Sequence, residues 1–194
     1  MRTAEIIRKT KETDIKIDIN LDGTGVNDIS TGVGFFDHML TALSRHSLID
    51  MNISCKGDLE VDAHHTIEDV GIALGEAFAK AIGDKKGICR YGFFMLPMDE
   101  ALVECALDFS GRGVLVYNME FQKEMIGDFD VEMLEEFMRA FSSNAGINLN
   151  IRSRDGRNAH HIAEAGFKAL AKSLRMAVSF DPRDNSVPST KGVI

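Results

Sequence analysis

Cysteine, proline, positive charge and long apolar runs are all scarce in this sequence, and each shortage removes a class of protein. The three cysteines, Cys55, Cys89 and Cys105, are an odd number without C-x-x-C spacing. That speaks against a disulfide framework and against a thiolate zinc site, and leaves them as small, reduced, buried residues. The three prolines, Pro97, Pro182 and Pro188, mark no linker, and no stretch is low in complexity, so one domain over 1–194 is expected. No window reaches the roughly 18 apolar residues of a membrane helix, and the first residues lack the apolar stretch of a signal peptide. A soluble, cytoplasmic protein without a membrane partner is the expectation. A formal net charge of −8 argues against a nucleic-acid surface, which leaves a basic footprint, but not against a small phosphorylated ligand held by a few local cations. Gly23-Thr24-Gly25 and Gly32-Val33-Gly34 lack the spacing of nucleotide-binding loops and read as turns.

What is present is a chain of 194 residues, 44% hydrophobic, long enough to bury roughly 70% of its unfolded surface. Ile15, Ile17, Ile19 and Leu21 alternate with polar residues, the period-two signature of a strand with one buried face. Met51, Ile53 and Cys55 do the same, as do Ile147, Leu149 and Ile151. Helical spacing links Phe36, Met39, Leu40 and Leu43, and again Leu134, Phe137, Met138 and Phe141. Longer helices are predicted from Ile67 to Ala81 and from Ile162 to Val178, with Gly83 and Asp181-Pro182 as stop signals.

The order of these pieces repeats. Ala63-His64-His65-Thr66-Ile67-Glu68 is matched by Ala159-His160-His161-Ile162-Ala163-Glu164, and Ala73-Leu74 and Ala169-Leu170 follow at equal offsets. A duplicated α+β unit is inferred, about 1–92 and 93–194, paired around one core.

Four of the six histidines lie in these two motifs. At the mouth of a helix, the first histidine and the glutamate are i and i+4, the second histidine and the glutamate i and i+3, and both spacings share a face. An imidazole nitrogen and a carboxylate oxygen converging there make part of a shell for a divalent metal; the other histidine would point elsewhere and could serve a second ion. A lone histidine near a helix end is usually an ordinary hydrogen-bonding residue, and polar residues gather there for capping. Duplicated ligand spacing is hard to explain by packing. His38 precedes its pair by 26 residues and Glu136 by 24, which makes them candidate equivalents, although Glu136 beside Glu132 and Glu135 also fits a solvated acidic face. Histidine and glutamate without cysteine admit manganese, iron, cobalt or zinc, and open coordination favours catalysis.

At these residues the sequence resembles the imidazoleglycerol-phosphate dehydratase family across nearly its whole length. The matching stretches are Thr10-Lys11-Glu12-Thr13, Gly34 through Leu40, Asp62-Ala63-His64-His65 through Asp69, Pro97-Met98-Asp99-Glu100, Ser110-Gly111-Arg112, His160-His161 through Glu164, and Pro188 through Gly192. The resemblance implies two pseudo-twofold-related halves, each a sheet backed by helices, in a ribosomal protein S5 domain 2-like fold. It also implies a homo-oligomer of 24 subunits with active sites at interfaces, each holding two divalent ions, expected to be Mn2+. Carried over by position, one ion would take His38, His65, His160 and Glu164, and the other His64, Glu68, Glu136 and His161. Many relatives have histidine where this chain has Glu136, which puts the metal preference in question.

The implied reaction dehydrates imidazole glycerol phosphate to imidazole acetol phosphate in histidine biosynthesis, through an imidazolate that expels the neighbouring hydroxyl and passes through a diazafulvene. Glu12, with Glu68 or Glu164, is expected to move protons, and Asp99 to orient substrate or a ligand. His46 is expected near the substrate, or else is structural. Arg90, Arg112, Lys168 and Lys191, with Ser189 and Thr190, are expected at the phosphate; Arg112 between two glycines could present guanidinium and backbone N–H together. A dinuclear hydrolase and a metal-storage shell are the competing classes.

Overall fold

A computed structural model describes all residues, 1–194. The first half runs β1 (Thr3–Lys9), β2 (Thr13–Asn20), β3 (Asn27–Ser30), α1 (Gly34–Ser47), β4 (Asp50–Gly57) and α2 (His64–Ile82). The second runs β5 (Tyr91–Met98), β6 (Ala101–Asp108), β7 (Val114–Asn118), a short hairpin β8 (Met125–Ile126) and β9 (Phe129–Asp130), then α3 (Glu132–Ala145), β10 (Asn148–Asp155) and α4 (Ala159–Val178). The two main sheets have the same topology, β1-β2-β4-β3 and β5-β6-β10-β7. In both, the last-named strand alone is parallel to its neighbour. This is an α+β fold of two pseudo-twofold-related halves.

Period-two alternation explains the central strands. Ile15, Ile17 and Ile19 of β2 register against Cys55, Ile53 and Met51 of β4, so one face of the sheet is continuously apolar. Leu149 and Ile151 of β10 register against Leu107 and Cys105 of β6 in the same way. That face is covered by helices: α2 lies on β1 and β2, and α4 on β5 and β6. The helices then meet across the halves, α1 on α4 and α2 on α3, so helical layers lie between two outer sheets. Phe36, Met39, Leu40 and Leu43 of α1 are fully buried, each contributing about 2 kcal/mol or more, and one apolar cluster draws on both halves. Close approach of α2 and α3 depends on Gly75, where an added Cβ would stand 2.8 Å from the Phe141 carbonyl oxygen.

Helix α4 ends at Val178, the last residue of its predicted stripe, where Ser179 turns into an extended cap ahead of Asp181-Pro182. One detail differs from the sequence pattern. Strand β5 carries Pro97, tolerated because β5 is an edge strand. No helix is long and apolar enough to cross a membrane.

Candidate metal and active centre

Both histidine pairs sit in the first turn of a long helix, α2 and α4, and neither does the capping. At α4 the Asn158 side chain accepts from the backbone N–H groups of His160 (2.9 Å) and His161 (3.4 Å). At α2 Asp62 accepts from the His64 N–H at 2.7 Å. With the orphan amides satisfied by other side chains, the imidazoles are free to point outward. Within each pair the rings are nearly perpendicular, at 86° and 81°, so neighbours in sequence serve different directions.

The first histidine of each pair turns towards its own glutamate. His160 Nε2 lies 3.1 Å from Glu164 Oε2, and His64 Nε2 lies 3.9 Å from Glu68 Oε2. At α4, helix α1 of the first half closes the group, because its packing on α4 brings His38 Nε2 within 3.4 Å of the same Glu164 oxygen. His38, His160 and Glu164 are the one set of three His, Cys, Asp or Glu side chains whose ligand atoms all lie within 4.8 Å of one another. Two imidazole nitrogens and a carboxylate oxygen meeting at one point are a donor set that fits a divalent transition metal. Burial by itself would raise the Glu164 carboxyl, but the Lys168 ammonium at 2.7 Å, followed by His38 and His160, holds it down to about 2.

The equivalent group around Glu68 stays open. Glu136 is the fifth residue of α3 as His38 is of α1, and α3 packs on α2, yet Glu136, His64 and Glu68 do not converge to that distance. This group holds two carboxylates where the other holds one, and the residue one turn beyond Glu68 is Ile72, where α4 supplies Lys168.

The second histidines belong to neither group. His65 Nδ1 lies 3.0 and 3.2 Å from the two Asp58 oxygens, and its Nε2 lies 3.9 Å from Glu12. His161 Nδ1 lies 2.7 Å from Glu100, and its Nε2 lies 3.6 Å from Asp99, an exposed residue at the tip of the β5–β6 hairpin. Accepting hydrogen bonds at Nδ1, Asp58 and Glu100 raise the two imidazoles above their ordinary pKa. Glu100 is held at about 2 by His161 first, then by the backbone N–H groups of Asn158 and Arg157. Sequence spacing missed Asp58 and Glu100. Acidic residues beside turns are common, and only the fold reveals that these two aim at imidazoles.

The phosphate candidates divide. Arg90, Arg112, Ser189, Thr190 and Lys191 line one cleft of about 570 Å³, formed as the C-terminal segment folds back on the start of β5. Arg90 is already engaged, gripping Asp108 with Nε and Nη2 (2.6 and 3.1 Å) and the Pro188 carbonyl with Nη1 (2.8 Å). It anchors the tail, leaving Arg112 and Lys191 as the cleft's cations. The Arg112 N–H is taken by Ser110 Oγ at 3.2 Å, so only its guanidinium is available. Lys168 lies apart, with Glu164. His46 is half-buried on α1, its pKa lowered by burial and then by Lys168 and Lys172 of α4.

The cleft and the histidines are far apart. Arg90 immediately precedes β5 and Asp99 immediately follows it, and eight strand residues span about 25 Å. Helix α4 gives a second ruler: the Arg90 N–H donates to Ala177 at its end, about 25 Å along the axis from His160.

Comparison with known proteins agrees with the duplicated motifs. The family model described as imidazoleglycerol-phosphate dehydratase matches residues 31–174. The chain is 56% identical to the imidazoleglycerol-phosphate dehydratase of Acidiphilium cryptum, over 100% of this chain and 99% of the relative. It is 59% identical to that of Ruegeria pomeroyi, over 100% of both chains. The crystal structure of the Staphylococcus aureus dehydratase superposes with a TM-score of 0.84 at 39% identity, covering 92% of this chain and 99% of the other. That from Pyrococcus furiosus gives 0.83 at 37%, covering 97% and 100%. Sharing motifs, topology and full-length similarity with these proteins, the chain belongs to the imidazoleglycerol-phosphate dehydratase family.

Proposed function

We propose that this chain is the subunit of a metal-dependent hydro-lyase that converts imidazole glycerol phosphate to imidazole acetol phosphate, a step of histidine biosynthesis. The observation that carries the reading is the convergence of His38 and His160 on one Glu164 oxygen, at the start of a helix whose motif occurs twice.

Two ions are proposed per active site. His38, His160 and Glu164 would hold one, and His64, Glu68 and Glu136 the other. His65 and His161 face away from both groups and would be offered to ions held by neighbouring subunits. We take manganese as the ion, which a mixed imidazole and carboxylate set admits. When bound, divalent ions supply Lewis acidity at the ring nitrogens and so stabilise negative charge on the imidazole.

The chain's own residues do the rest. Arg112 and Lys191, with the hydroxyls of Ser189 and Thr190, bind the phosphate, a planar fork and a point charge in one cleft. The hydroxyl on the carbon next to the ring departs first, taking a proton to leave as water. Glu12, exposed beside His65, then takes the proton from the following carbon. The resulting enol becomes the ketone as a proton moves, net, from its hydroxyl to the ring-adjacent carbon, with Glu68 or Glu164 assisting. Asp99, beside His161, orients the substrate.

A substrate of this kind is about 10 Å long, from bonds of about 1.5 Å, and cannot reach across the ~25 Å that separates phosphate cleft and histidines in one chain. A homo-oligomer with sites shared between subunits follows, for which the family resemblance implies 24 copies. The test is to give metal-reconstituted protein imidazole glycerol phosphate and follow the ketone. Ketone formation without phosphate release is expected; inorganic phosphate as the product would overturn the reading in favour of a hydrolase.

A further inference from the structure

The second histidine of each pair has carboxylates at both ring nitrogens, at two different ranges. At Nδ1 the distances are those of hydrogen bonds, 3.0 Å to Asp58 for His65 and 2.7 Å to Glu100 for His161. At Nε2 they are 3.9 Å to Glu12 and 3.6 Å to Asp99, too long for hydrogen bonds. Only the Nδ1 contacts can therefore decide where a neutral ring keeps its proton. We propose that Asp58 and Glu100 are positioning residues that hold the Nδ1–H tautomer of His65 and His161, so that each ring presents Nε2 as its ligand atom. The inference rests on the functional reading above for what Nε2 binds, and adds which residues aim it.

Both carboxylates are themselves fixed. The second oxygen of Glu100 accepts from the backbone N–H groups of Arg157 (3.1 Å) and Asn158 (2.7 Å), so it ties the β5–β6 hairpin to the loop that opens α4. Asp58 is pinned through its backbone, its N–H donating to the Glu12 carbonyl at 3.1 Å and its carbonyl accepting from Val61 at 2.8 Å. A carboxylate on the far nitrogen of a ligand histidine sets ring orientation and basicity.

The duplication explains why two unlike residues share this task. Glu12 immediately precedes β2 and Glu100 immediately precedes β6, so they occupy equivalent hairpin positions. In the second half that carboxylate takes Nδ1. In the first half Asp58, immediately after Gly57, takes it instead; a Cβ at Gly156 would meet Ala101 and Ile162 as one at Gly57 would meet Thr13 and Thr66, so the residue that corresponds to Asp58 is Arg157, which has no carboxylate to offer. Asp58 thereby releases Glu12 from orienting a histidine, and Glu12 remains half-exposed on the Nε2 side. Pseudo-equivalent residues thus have separate roles: Glu100 positions, while Glu12 is left for proton transfer.

The test uses the full-length protein and Mn2+ alone as probe. Asp58→Ala and Glu100→Ala should each weaken Mn2+ binding by roughly 10- to 100-fold. Asp58→Asn and Glu100→Gln, which keep an oxygen to accept from Nδ1–H, should stay within a few-fold of the wild type. Glu12→Gln should leave Mn2+ affinity unchanged and lower kcat. If the amide variants lose as much affinity as the alanine variants, charge and not the tautomer is at work, and the proposal fails. It fails also if Glu12→Ala weakens Mn2+ binding as Glu100→Ala does. Should an alanine variant not assemble, nitrogen-15 spectra of the metal-free wild type at alkaline pH decide: Nδ1–H signals that vanish in His65→Gln and His161→Gln are expected, and Nε2–H signals there would overturn it. A wild type that binds no Mn2+ would overturn the functional reading and this inference with it, whereas binding unchanged in every variant would overturn this inference only.

Discussion

Glu136 on α3 stands where His38 stands on α1, so the two groups of ligand candidates differ by a charge. At an effective dielectric of about 20, like charges ~4 Å apart repel by about 4 kcal/mol, more than a neutral hydrogen bond returns. Glu68 and Glu136 therefore have reason to stay apart until a cation joins them, whereas His38 brings no second carboxylate to Glu164, already balanced by Lys168. Glu136→Ala should reduce the Mn2+ bound per subunit from two ions towards one in equilibrium dialysis. Glu136→His should keep both and shift preference towards Zn2+, since imidazole is the softer donor; wild-type Mn2+ binding in Glu136→Ala would exclude Glu136 as a ligand. At this scale the histidine pairs and their glutamates were legible because ligand and partner lie one helical turn apart. Asp58 and Glu100 were not, since Glu100 reaches His161 across 61 residues and neither belongs to a periodic pattern. The tail shows the same limit: Ser189 and Lys191 look frayed by composition, and only the grip of Arg90 on Pro188 draws them into a cleft.

Among the elements, α2 positions His64, His65 and Glu68, and its placement depends on contact with α3. A methyl at Gly75 would meet the Phe141 carbonyl oxygen and the Asn144 Cβ at 2.8 Å and the Ala145 nitrogen at 2.9 Å, and backbone atoms cannot swing aside. Overpacking costs about 1–3 kcal/mol, while replacing a helical glycine by alanine returns about 1 kcal/mol. Gly75→Ala should therefore destabilise the fold by up to about 2 kcal/mol in chemical denaturation; a stabilised variant would show that the two helices can separate freely. Elements with one wet face were readable from the chain. Strands β2, β4 and β10 alternate, and the stripes of the four helices match their buried residues. Strand β5 hid itself, because Tyr91, Phe93 and Met95 on its outer face are apolar and exposed, which erases the alternation.

For the molecule as a whole, that outer face matters again. With Val114 and Val116 of β7, also exposed, both edges of the second sheet carry apolar side chains on its outer face, flanking the polar Asp108, Glu104, Asn150 and Arg152 of β6 and β10. Shared sites can be tested by mixing. Subunits with His38→Ala and His160→Ala should be inactive, as should subunits with Arg112→Ala and Lys191→Ala. Dissociated and reassembled together, they should recover activity well above either parent, because an intact cleft can then face intact ligands; failure of mixed particles to turn over substrate would argue for sites completed within one chain. The cross-pairing of helices reaches further. Helix α1 meets α4 and α2 meets α3, so the halves touch through a single self-complementary interface formed twice, as in a twofold dimer. A forebear of half this length would have left both helical stripes wet unless it bound its twin, and joining the twins end to end freed each side to drift. Glu136 opposite His38, Ile72 opposite Lys168 and Arg157 opposite Asp58 record how far they have drifted.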